Sequence, residues 1–147
     1  YANAVSPKSE TKKHVFGGFK RCCAQLQKFD SDPERAFAAL LEADASVEKW
    51  VKPARAQFQI EYRSGDVYEP DFVVETKDAI LICEIKAQNE VDDPTVIAKA
   101  QAAVKWCKAA SQHAAEHKAK PWSYLLIPDD KVMGSATLDG LKARFVK

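Results

Sequence analysis

Two carboxylates and a lysine stand at the ends of apolar stretches: Asp71 in Tyr68-Glu69-Pro70-Asp71-Phe72, and Glu84 with Lys86 closing the run Ala79 to Lys86. In a strand, side chains two apart share a face, so Glu84 and Lys86 project together while Ile85 enters the opposite layer. Thr76-Lys77-Asp78 reads as a tight turn. The strand after Asp71 and the strand ending in Lys86 then become antiparallel neighbours, and the start of one lies beside the end of the other. Neighbouring carboxylates repel, and burial forces one to take a proton unless a cation sits between them. Mg²⁺, which prefers a few carboxylate oxygens plus water and phosphate oxygens, resolves that conflict. Such an ion polarises a scissile phosphate and acidifies a bound water. A nearby ammonium orients that water or stabilises charge on the phosphate. Phosphodiester hydrolysis uses all of these parts. The competing reading is an ordinary surface ion pair; the apolar strand leading into Glu84 argues against it.

The elements that must position these groups are read from periodicity and turn chemistry. Ser31-Asp32-Pro33-Glu34 is a helix start, and Phe37, Leu40, Leu41, Val47 and Trp50 continue one helical stripe until Pro53. Gln57 to Tyr62 alternates with period two and predicts a strand. Arg63 to Asp66 turns the chain into a second strand, Val67 to Glu75, with Pro70 near its start. Ala79 to Lys86, apolar on both faces until Glu84, predicts a central third strand. Pro94 opens a long helix to about His117, with Val96, Ile97, Ala100, Ala103, Val104 and Cys107 as its buried stripe. Trp122 to Ile127 is a fourth strand and Thr137 to Val146 a short final helix. The expected fold is therefore α/β: a central four-stranded mixed sheet flanked by helices, in the order helix, three-strand meander, helix, strand.

Pro70-Asp71, twelve intervening residues, then Glu84-Ile85-Lys86 resembles the motif of the PD-(D/E)xK nuclease superfamily, whose common core has that same order of elements. A closer likeness runs through Asp32-Pro33-Glu34-Arg35-Ala36-Phe37, Tyr68 to Phe72, Lys99-Ala100, Trp106-Cys107, Trp122-Ser123-Tyr124 and Ile127-Pro128. These segments, within roughly Asp30 to Asp130, resemble the C-terminal endonuclease domain of the restriction subunit of type III restriction enzymes. The resemblance implies a restriction-endonuclease-like core. Asp71, Glu84 and the backbone carbonyl of Ile85 would hold Mg²⁺, and Lys86 would assist the attacking water. It implies that Glu34 completes the site, although Ser31 and Glu34 also spell a capping box. It places a polar residue of the long helix near metal or phosphate: Lys99 by preference, then Gln101, each of which also fits a solvated face. The implied partners are DNA, an ATPase/helicase region of the intact polypeptide and a methylation subunit. A nuclease-like module that grips DNA or a partner subunit without cutting is the alternative.

Composition bounds these readings. A chain of 147 residues suits one domain, and 46% hydrophobic with 29% charged residues excludes disordered, collagenous and coiled-coil classes. A net charge of +1 neither requires nor excludes nucleic acid. No apolar run is long enough to span a bilayer, so a membrane is not an expected partner. No secretory signal is visible. The four cysteines form no CxxC pair, which favours reduced, mostly buried thiols in a cytoplasmic protein over a disulfide or zinc framework. Because the chain begins with Tyr, residues 1–29 are expected to be an extension left from a linker. Within it, Tyr1 to about Thr11 should be frayed, and His14 to Phe29 helical despite Gly17-Gly18. The nuclease domain then occupies 30–147. His113 and His117 are four apart but show no third ligand, so they read as exposed histidines. Trp50, Trp106 and Trp122 read as core residues.

Overall fold

The computed structural model describes residues 5–147. Among the described residues, eight strands and three α-helices follow one another as β1 (Phe16–Gly17), β2 (Leu26–Gln27), α1 (Asp32–Ala43), β3 (Val47–Val51), β4 (Ile60–Arg63), β5 (Asp66–Tyr68), β6 (Phe72–Thr76), β7 (Ile80–Lys86), α2 (Pro94–Glu116), β8 (Trp122–Pro128) and α3 (Leu138–Phe145). The central sheet has the order β3-β6-β7-β8; β3–β6 and β6–β7 are antiparallel and β7–β8 parallel. The expected α/β class with a four-stranded mixed sheet and flanking helices is the observed one.

Alternation along β7 and β8 splits the interior into two layers. Leu81, Cys83, Ile85, Leu125 and Ile127 face one side, with Phe37, Leu41, Trp50, Phe72, Leu138 and Leu141. Ile82, Tyr124 and Leu126 face the other, with Ile60, Tyr68 and the α2 stripe Val96, Ala100, Ala103 and Cys107. Ile97, assigned to that stripe from spacing, is 41% exposed.

Two expected elements are redrawn. The helical stripe through Val47 and Trp50 ends early: α1 stops at Ala43, and Val47 and Trp50 lie on β3, the true first strand of the meander. A register shift between Val47 and Lys49 explains the misreading. A bulge adds one residue to a strand, so buried positions fall three apart and mimic a helical period. The expected strand Val67 to Glu75 is also split into β5 and β6, separated at Glu69-Pro70-Asp71. Pro70 has no N–H to give a ladder. On its N-terminal side the chain pairs in a separate β4–β5 hairpin, whose turn contains Gly65 at φ +79°.

The N-terminal segment is part of this core, not an appendage. The expected helix His14 to Phe29 is absent; β1 and β2 pair antiparallel there. Phe16 and Phe29 are buried with Phe72, and the Thr11 hydroxyl donates to Asp32 at 3.2 Å. Glu42 at the end of α1 accepts from the backbone N–H groups of Lys20 and Arg21 at 2.8 and 2.9 Å and from Trp50 Nε1 at 2.9 Å. Burial opposes ionisation of Glu42, but these donors outweigh it and its pKa is lowered. The expected fraying covers Tyr1–Ala4, which lies outside the described residues. Its remainder includes a 3-10 helix, Lys8–Lys13, with Thr11 buried. Cys83 and Cys107 are buried free thiols, as expected, whereas Cys23 is exposed and Cys22 half-buried. Trp50 is buried as expected, and Trp106 and Trp122 pack edge to face at 4.9 Å. Among the described residues no helix is long and apolar enough to cross a membrane.

Candidate active site

The ladder between β6 and β7 ends at the pair Phe72–Cys83, one step after Asp71 and one before Glu84. Beyond it β7 continues alone on that edge, and Asp71 takes the place of a strand: its Oδ2 accepts the Ile85 N–H at 3.0 Å. In a strand the N–H and C=O of one residue project to the same edge. The Ile85 carbonyl is therefore directed to the Asp71 side, whereas Glu84 and Lys86 present their backbone groups toward β8. Phe72 anchors the junction, packing against Phe29, Phe37 and Trp50 with centroid distances of 6.4, 5.1 and 5.8 Å. That packing is what makes the position of Asp71 definite.

Glu84 is 8% exposed. Its Oε2 accepts from the Tyr68 hydroxyl at 2.7 Å, and its Oε1 lies 3.7 Å from Lys86 Nζ. Glu34, also buried, approaches from α1: its Oε2 accepts the Asp30 N–H at 2.9 Å and meets Lys52 Nζ at 3.2 Å. The Ser31 hydroxyl accepts the Glu34 N–H at 3.4 Å, so half of the capping box is present. The Glu34 carboxylate turns to Asp30 and Lys52 instead of closing the box on Ser31, and its charge reaches Asp71. The backbone of Glu34 thus serves as a cap, while its side chain lies beside Lys52 and within electrostatic reach of Asp71.

Burial and mutual repulsion disfavour ionisation of the two acids, Asp71 and Glu84. Burial raises the pKa of Asp71 well above the carboxylate range, and Glu84 and Glu34 push the same way. Burial also raises Glu84, against the opposing Tyr68 hydrogen bond and the charges of Lys86 and Lys99. Tyr68 is held well above the usual phenol value by burial and by Glu84, so its hydroxyl remains a donor. Lys52 would be depressed by burial alone, but Glu34, Asp71 and Asp30 overcome this and raise it. A ring of acids with an incomplete set of cations is what a divalent ion relieves. The donor set fits a hard cation: carboxylate oxygens of Asp71 and Glu84 from two adjoining strands, plus a carbonyl on the same edge.

Of the residues chosen from sequence, Asp71, Glu84, Ile85, Lys86 and Glu34 come together here. Lys99 reaches the margin: it is half-buried on α2, its charge lowers the pKa of Glu84, and its Nζ lies 5.5 Å from the Tyr62 ring centroid. Arg63 lies 5.2 Å from the same ring and donates to Thr95 Oγ1 at 3.3 Å. The β4–β5 hairpin and the first turns of α2 thus gather Arg63, Tyr62 and Lys99. Gln101 is not brought in; it is exposed and lines grooves with Lys105, away from the carboxylates. Sequence reasoning missed Lys52 and Tyr68. Lys52 follows a strand mistaken for helix, and Tyr68 precedes the acidic motif on a segment taken as continuous with it. The signal available was Pro70, a strand-breaker that separates a tyrosine from an aspartate by three positions.

No family model matches the chain, and no curated protein matches it.

Proposed function

We propose that this domain is a Mg²⁺-dependent endonuclease that hydrolyses DNA phosphodiester bonds, with a restriction-endonuclease-like core related to that of type III restriction enzymes. The observation that carries the reading is the convergence of Asp71, Glu84 and Glu34 with Lys86 where the β6–β7 ladder ends, two of the acids with raised pKa. The sequence of α1, β3, β6, β7, α2 and β8 supports it, being helix, three-strand meander, helix and strand.

Asp71, Glu84 and the Ile85 carbonyl would hold the Mg²⁺, which when bound supplies Lewis-acid polarisation of the phosphate and a more acidic water. Tyr68 keeps Glu84 in place by its hydrogen bond and so aims that carboxylate. Lys86, beside Glu84 and half-exposed, positions the attacking water or balances charge on the phosphate. Lys52 orients Glu34 and offsets part of the acidic field. Arg63 and Lys99, flanking Tyr62, supply cationic contacts for the DNA backbone next to the cleft. Sequence selection belongs to a methylation subunit and coupling to an ATPase/helicase region of the intact polypeptide.

The test is nicking of supercoiled plasmid by the domain in Mg²⁺ at low salt, with Asp71→Ala and Glu84→Ala as controls. Nicking by the parent alone is expected. Salt-sensitive DNA binding without nicking, in the isolated domain and in the full polypeptide with its ATPase, would replace the nuclease reading with that of a DNA-gripping module.

A further inference from the structure

The last turn of α2 carries a second ligand cluster, separate from the carboxylates described above. His113, Glu116 and His117 place one potential ligand atom each within 4.8 Å of the others, and all three side chains are exposed. The imidazole centroids are 4.4 Å apart. Spacing alone gave two histidines and no partner; the helix adds Glu116, because positions three and four apart lie on one face. His113 lies fourteen residues beyond Lys99, about 21 Å along the helix axis at 1.5 Å per residue. The cluster is therefore far from the proposed nuclease centre.

We propose that His113, Glu116 and His117 form a surface site for a borderline transition-metal dication, with Zn²⁺ as the fitting ion. Two imidazoles and a carboxylate are a ligand set that zinc accepts with a fourth position left open. The imidazoles favour Zn²⁺, Ni²⁺ or Cu²⁺, while Mg²⁺ is disfavoured because it prefers oxygen ligands in octahedral array. Zinc bonds of about 2.0–2.1 Å put tetrahedral ligand atoms about 3.3 Å apart, so the cluster closes by small side-chain rotations. Exposure leaves those rotations unhindered. The backbone beneath is already fixed: Ser111 Oγ donates to the Trp122 carbonyl at 3.1 Å and accepts the Trp122 N–H at 2.9 Å, and Ala114 is buried. A rigid helix turn with free side chains is the preorganisation a clip needs. The ion would join positions 113 and 117 across the final turn, where His117 is the C-terminal cap.

The experiment is calorimetric titration of the full chain with ZnCl₂ and, separately, MgCl₂, alongside His113→Ala, Glu116→Gln and Asp71→Asn variants. Histidine side-chain resonances are followed by ¹H–¹⁵N NMR. The expected result is one saturable Zn²⁺ site that shifts the His113 and His117 signals and is unaffected by Asp71→Asn. His113→Ala removes a direct ligand and should weaken the site by more than the factor of about 10–100 that loss of an outer-shell partner costs, and Glu116→Gln by a smaller factor. Because the side chains are exposed, these variants should keep the parent circular dichroism. Absence of a saturable site, or zinc binding that survives His113→Ala and disappears with Asp71→Asn, overturns the proposal. Affinity unchanged by Glu116→Gln overturns the three-ligand assignment.

Discussion

Both ends of the β6 strand hold carboxylates beside lysine, yet they are in opposite electrostatic states. At its C-terminal end Lys120 Nζ meets Glu48 at 2.9 Å, Glu75 at 3.0 Å and the Thr76 carbonyl at 2.8 Å. There the Lys120 hydrogen bond leads the causes that lower the pKa of Glu75, and bonds to Glu48 and Glu75 raise that of Lys120. The charges suit each other and remain wet, an arrangement worth little to stability. At the N-terminal end burial raises Asp71 and Glu84 although Lys52 and Lys86 stand near. Desolvation outweighs the available cations. Carboxylates and lysines thus make a settled surface network in one place and a buried acidic pair with raised pKa in the other; the difference is access to water and the number of donors.

Breaking the two ends separately should give the largest contrast in activity. Asp71→Asn or Glu84→Gln is expected to reduce plasmid nicking by at least about 10³-fold, the upper range for losing a main electrostatic stabiliser, whereas Glu75→Gln leaves it unchanged. Equal losses at both ends would show that the acidic pair has no special role. Lys86→Ala should follow, losing about 10²-fold in single-turnover cleavage with its circular dichroism intact; a parent-like rate would remove Lys86 from the reaction. Tyr68→Phe sharpens the same end by a smaller step. It removes one hydrogen bond from a buried carboxylate, at a cost of about 1–3 kcal/mol, read as reduced thermal stability together with slower nicking.

Stability should move the opposite way from activity at Asp71. The folded chain retains a proton on Asp71 and Glu84 at pH values where the unfolded chain, with ordinary carboxylate pKa values of about 4, has lost it. Their contribution to stability is present below about pH 4 and is lost as pH rises from there through the raised folded values. At neutral pH without Mg²⁺, Asp71→Asn should therefore raise Tm by about 2–4 °C, the shift for about 1 kcal/mol in a chain of this size, and flatten that pH dependence. Asn retains an oxygen for the Ile85 N–H. The smallest expected effect is at the other end: Glu75→Gln should lower Tm slightly, with a difference from the parent that vanishes as pH falls below the ordinary glutamate range and diminishes in high salt. A stabilised Glu75→Gln and a destabilised Asp71→Asn would invert the comparison.

Much of this arrangement was legible from spacing. Alternation and turn chemistry located β7 and β8, proline and capping residues located the starts of α1 and α2, and the two-residue step placed Glu84 and Lys86 on one face. Val47 and Trp50 were misread because a bulge gives a strand a three-residue interval. The segment 14–29 was misread because its order comes from distant partners: Glu42 binding two of its N–H groups, and Arg21 donating to the carbonyls of Asp44 and Val47. Lys52 and Tyr68 carry no local mark of their role.

The sequence by itself determined the class of fold and the pairing of Asp71 with Glu84 and Lys86, because periodicity and turn signals act over a few residues and a hairpin brings its own two strands together. Only the tertiary structure decided that β3, not the segment before Tyr62, is the outer strand, that Glu34 and Lys52 reach the same cleft, and that the acids there are raised in pKa. Those outcomes depend on burial and on contacts between residues far apart in the chain, and neither quantity is written in local spacing.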